Sequence, residues 1–165
     1  MQARVRQMVC VAVVAAGLLG VLGASLEAAD PLIGTWKLNL AKSTYDPGPP
    51  PLSDTIVYQP WETDGLTSTE TEVEADGTRV MSACSFHYDG KDYRFTFTAG
   101  TPDVDTSAIR RVDSNTVAYS NKEGGKVVQT GTIVVSGNGK VLTITWTGID
   151  AQGQKEKGVE IYDKQ

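Results

Sequence analysis

Beyond its first 25 residues this chain has one cysteine, one histidine and no hydrophobic run long enough for a membrane helix. Each shortage removes a class of function. Cys84 alone cannot form an intramolecular disulfide, so stability has to come from packing and hydrogen-bonded sheet. His87 alone removes most histidine-based metal sites and acid–base pairs. No Gly-x-Ser-x-Gly, phosphate-binding loop or dinucleotide fingerprint occurs. Positive charge is also scarce. Without Arg4 and Arg6, the fifteen basic residues fall to thirteen against twenty acidic ones. An acidic chain of that kind has no electrostatic reason to bind nucleic acid or anionic lipid.

The first 25 residues read as an export signal. Arg4 and Arg6 precede the uncharged run "MVCVAVVAAGLLGVL" (8–22), and Gly23-Ala24-Ser25 supplies small residues for cleavage after Ser25. The run is shorter than the ~20 residues of a spanning helix. Residues 26–165 are then expected to form a single domain that is periplasmic or secreted, monomeric and free of the membrane.

Short β-type runs alternate with turn signals through that domain. "GTWKLNL" (34–40) comes first, with Trp36, Leu38 and Leu40 sharing one face. It ends in Asp46-Pro47-Gly48-Pro49-Pro50-Pro51, which lacks backbone donors and suits an extended surface connection, long enough to flank a barrel mouth. Further runs follow at 53–59, 66–75, 78–88, 91–98, 105–112, 116–121, 126–136, 140–149 and 155–164. Asp76-Gly77, Asp89-Gly90 and Asn138-Gly139 punctuate them as hairpin turns do. Tyr93, Phe95 and Phe97 oppose Arg94, Thr96 and Thr98, and Leu142, Ile144 and Trp146 oppose a threonine face. No helical period is present. Antiparallel strands joined by tight turns leave two edges unless the sheet closes, so the expected fold is an all-β, antiparallel up-and-down β-barrel of 8–10 strands. A two-sheet sandwich is the alternative.

Gly34-Thr35-Trp36 resembles the Gly-x-Trp signature on the first strand of lipocalins and fatty-acid-binding proteins, the calycin barrels. There the tryptophan packs across the closed end, which implies that Trp36 is a structural plug. The strings "GTWKLNLAKSTYDPGPPP", "YDGKDY", "GGKVVQTGT", "SGNGKVLTITWTGIDAQGQ" and "YDKQ" resemble exported bacterial lipocalin-like proteins over the whole domain. That resemblance implies a barrel with a general binding role. The last strand is similar to that of fatty-acid-binding proteins, whose Arg-x-Tyr pair holds the ligand carboxylate. Tyr162 matches the tyrosine, but Glu160 stands at the arginine and would repel a fatty-acid head group. The helical insertion of those proteins is replaced here by the proline stretch.

Other residues with chemical potential read as structural. Cys84 and His87 are three apart on one strand and so point to opposite faces. Glu70, Glu72 and Glu74 share one face, expected to be the solvated outer one. Arg110 and Arg111 are consecutive, so one faces in; Arg110 is the candidate, meeting Glu160 or an acidic ligand group. The expected function is binding of a small, partly hydrophobic molecule, with Tyr58, Phe86, Tyr93, Phe95, Phe97 and Trp146 as wall and Arg110 and Tyr162 as polar contacts. No cofactor, metal or catalytic residue is assigned. A filled structural or protein-interaction barrel is the alternative, and a hydrolase or isomerase using cavity acids is a third.

Overall fold

The computed structural model describes residues 29–100, 104–150 and 152–165. The export leader read from residues 1–25 lies outside the described residues. The strands are β1 (Gly34–Leu38), β2 (Thr44–Asp46), β3 (Ser53–Trp61), β4 (Gly65–Val73), β5 (Arg79–Phe86) and β6 (Asp89–Ala99). They continue as β7 (Thr106–Arg111), β8 (Thr116–Glu123), β9 (Lys126–Val135), β10 (Val141–Ile149) and β11 (Lys155–Lys164). Every pairing is antiparallel, and β3 to β11 follow one another in order around the sheet. β1 pairs with both β3 and β11, which closes it. β2 continues the position of β1 along β11, pairing Thr44 with Val159 after β1 has paired Leu38 with Tyr162. The result is a ten-position up-and-down barrel whose first position is an interrupted strand. Closure leaves no continuous sheet edge to recruit another chain.

The interruption is a single 3-10 turn, Leu40–Lys42, and no α-helix occurs among the described residues. It corrects the sequence reading at one point. The first strand ends at Leu38, and Leu40 is 40% exposed instead of continuing the inward face of Trp36. The chain turns there because Lys42 N–H and Ser43 N–H reach back to the carbonyls of Asn39 and Leu40.

The two ends of the barrel differ in their closing elements. The turns after β3, β5, β7 and β9 lie at the end crossed by residues 29–33. Trp36, 0% exposed, fills that end and donates its indole N–H to the Leu32 carbonyl at 2.7 Å. Leu32, Val117, Val135 and Leu142 are also fully buried. The turns after β4, β8 and β10, together with the proline connection, surround the opposite, open end. Hairpin reversal at Gly90 requires φ +75°, which glycine adopts without a Cβ clash.

Candidate functional site

A cavity of about 1100 Å³ occupies the open end and the middle of the barrel. Its existence follows from a lateral row of residues across four strands. Tyr119 on β8 faces Gly131 on β9, Gly131 faces Trp146 on β10, and Trp146 faces Gly158 on β11. A Cβ on Gly131 would lie 2.7 Å from the Tyr119 ring, and one on Gly158 would lie 2.7 Å from the Trp146 ring. Both aromatics therefore lie flat over glycine backbone along the wall. Side chains at positions 131 and 158 would push the rings toward the axis.

The structure brings Tyr58, Phe86, Phe95, Phe97 and Trp146 to the cavity wall. Tyr93 is not among them. It is half-buried against the core, 6.2 Å from the His87 ring, with its hydroxyl on Asp89 at 3.0 Å. Tyr162 is 2% exposed and does not line the cavity; its hydroxyl sits in a hydrogen-bond network with Asp54 and Glu160.

Arg110 is a correction: it is exposed on the outer face of β7. Ser107 and Ile109 are buried, so period two puts Arg111 on the inward side. Arg111 does not reach the cavity. It pairs with Asp30 at the closed end and stacks over the Tyr88 ring at 3.8 Å, while Tyr88 donates its hydroxyl to Asp30 at 2.7 Å. Glu160, expected to meet Arg110, instead accepts from the Trp146 indole at 3.0 Å.

The acid ladder is the second correction. Glu70, Glu72 and Glu74 line the cavity rather than the outer surface. Strand register forces this. Ser68 sits between the buried Tyr58 and Cys84, so Glu70 falls between the buried Ile56 and Ser82, and Glu72 between the buried Asp54 and the half-buried Val80. Thr67, Thr69 and Thr71 take the outer face.

Asp54, Glu70 and Glu160 thus share the interior. Burial raises Asp54 from 3.8 to about 6 and Glu160 from 4.5 to about 7, and pushes Glu70 well above its ordinary range. Tyr162 Oη lies 2.6 Å from Asp54 Oδ2 and 3.1 Å from Glu160 Oε2. One hydroxyl hydrogen serves one of these contacts. The other is a hydrogen bond only when a carboxyl holds a proton and donates it to the phenol oxygen. Ser82 donates to Glu70 at 3.3 Å. The Asp54 carboxyl also meets the Thr55 backbone N–H and Glu70, and the Tyr45 hydroxyl is buried without a hydrogen-bond partner. Sequence reasoning missed Asp54, although it shares parity with Ile56 and Tyr58. It had no signal for Tyr45, whose strand is only three residues long.

Cys84 and His87 are separated, as their spacing requires. The Cys84 thiol is buried, and burial pushes it up to about 11, so it stays protonated. His87 lies outside the cavity between Glu62 and Asp64, 3.2 and 2.8 Å away. Pro47, Pro49 and Pro51 line the cavity, so the proline connection borders its mouth.

No protein-family model and no curated protein matches the chain. Solved structures do. The wild-type fluorescent protein UnaG is 17% identical over 81% of this chain and 96% of its own, with a TM-score of 0.54. A point mutant of UnaG is 17% identical over 82% and 96%, with a TM-score of 0.55. The zebrafish ileal bile acid-binding protein complexed with cholic acid is 15% identical over 82% and 99%, with a TM-score of 0.47. The likeness to UnaG is one of fold, a closed antiparallel up-and-down β-barrel.

Proposed function

We propose that this protein binds a small, partly hydrophobic molecule inside the barrel. The observation that carries the reading is the cavity itself. At about 1100 Å³ it is at or just above the ~300–1,000 Å³ of ligand sites, and its wall mixes aromatic rings with a few placed polar groups. A filled structural barrel would need side chains at Gly131 and Gly158, where rings lie on bare backbone instead. The leader pattern of residues 1–25 supports a periplasmic or secreted site of action. N-terminal sequencing of protein from its own host checks that part, with a first residue near 26 expected.

Native mass spectrometry of the same preparation tests the binding role. A retained small molecule, released on denaturation, is the expected result. A protein that arrives empty and leaves the fluorescence of hydrophobic probes unchanged overturns it.

A further inference from the structure

The charged side chains that line the cavity are almost all of one sign. Glu70, Glu72 and Glu160 line its interior, and Glu74, Asp76, Glu123, Asp150 and Glu156 line it toward the mouth. Lys126, on the mouth hairpin, is the one basic residue among the described lining residues. Among the buried acids, Asp54 is 4% exposed and takes hydrogen bonds from the Tyr162 hydroxyl, the Thr55 backbone N–H and Glu70. The Tyr45 hydroxyl, on the cavity wall, is buried without a hydrogen-bond partner. An aromatic surface completes the arrangement. Trp146 has one face on Gly158 and bounds the cavity, while its N–H is spent on Glu160. Indole faces attract cations, and carboxylates beside them strengthen the attraction.

Resting on the binding reading above, we infer that the ligand is a cation: an amphipathic amine or quaternary ammonium whose charged head seats beside Glu70 and Glu160, with its apolar part against Trp146, Phe95 and Phe97. An anionic head group meets repulsion wherever these acids are ionised. The acidic mouth raises the local concentration of cations and repels anions.

The empty site holds protons where the ligand holds its charge. The groups facing the cluster from neighbouring strands are Glu72, Tyr45, Tyr58, Tyr119, Tyr162 and Cys84. The tyrosines and the thiol are all pushed up by burial and stay neutral through the physiological range. The acids are therefore the groups that exchange a proton for the ligand, and cation affinity rises with pH as they ionise.

Three dansyl probes sharing one fluorophore test the inference on the intact protein: dansylcadaverine with an ammonium, N-butyl dansylamide with no charge, and dansyl-aminovaleric acid with a carboxylate. At pH 8 the ammonium probe is expected to bind about tenfold tighter than the neutral one, as a charge-assisted contact implies. The ratio shrinks at pH 5. In a Glu70→Gln, Glu160→Gln double variant it approaches one, with near-ultraviolet circular dichroism confirming the fold. If that variant does not fold, the pH dependence of the unmodified protein decides alone. Equal or tighter binding of the neutral or carboxylate probe at pH 8 overturns the cation assignment and leaves the binding reading standing. Failure of all three probes on folded protein overturns both.

Discussion

At the closed end, Asp30 takes contacts from Arg111 and the Tyr88 hydroxyl, and the guanidinium in turn covers the Tyr88 ring. Around the cavity, Asp54, Glu70 and Glu160 have two hydroxyls, one indole N–H, the Thr55 backbone N–H and one another. Both regions bury acids, but among the described residues only the first shows an ion pair with a cation of the chain. A buried ion with a partner is part of the scaffold. Buried acids without one hold protons or wait for a charged solute, because an isolated carboxylate in a poorly solvated site is costly. The comparison separates the structural end of the barrel from the end available for binding.

The contrast can be broken from either side. Trp36→Ala should have the largest effect, removing about 3–5 kcal/mol of stability as a truncated core aromatic does, read by urea unfolding. Arg111→Met leaves Asp30 half-buried without its cation and should cost about 1–3 kcal/mol; adding Asp30→Asn should restore part of that. If the single substitution costs nothing, the closed-end pair is not structural.

Glu70→Gln should act in the opposite direction, stabilising the empty protein by about 1–2 kcal/mol at pH 8 and by almost nothing at pH 4. The sign follows from the raised values. Asp54 at about 6 and Glu160 at about 7 hold protons in the folded chain that the unfolded chain has released. Their stabilising contribution is full below about pH 4 and is lost as pH rises to about 7, so the cavity acids lower the melting temperature of the empty protein across that window. A melting temperature that rises steadily over the same range would count against buried, protonated acids. The smallest effect belongs to Leu40→Ser, expected within about 0.5 kcal/mol of the parent because the side chain is exposed. A large loss there would return Leu40 to the core.

Much of the fold was legible in the sequence for a local reason. Asp-Gly and Asn-Gly turns and period-two runs are encoded within a few residues, and the run read at 155–164 coincides with β11. The wall aromatics on β6 and β10 were legible because apolar side chains occupied one face and threonine or charge the other. The candidate site was not legible. β4 reads "GLTSTETEV", with threonines on one face and one leucine, one serine and two acids on the other. Neither face is apolar enough to declare itself. Arg110 and Arg111 posed the same difficulty, each sharing parity with an apolar neighbour.

Alternation along the chain determined which residues travel together: Glu70 with Glu72, Arg111 with Ile109, Trp146 with Ile144. Tertiary structure alone decided which of two polar faces turns inward, because that choice is made by the neighbouring strands. Once Tyr58 and Cys84 enter the core, register carries Ser68 and then Glu70 in with them. Closure of β11 onto β1 and β2 then gathers acids from distant strands around one cavity.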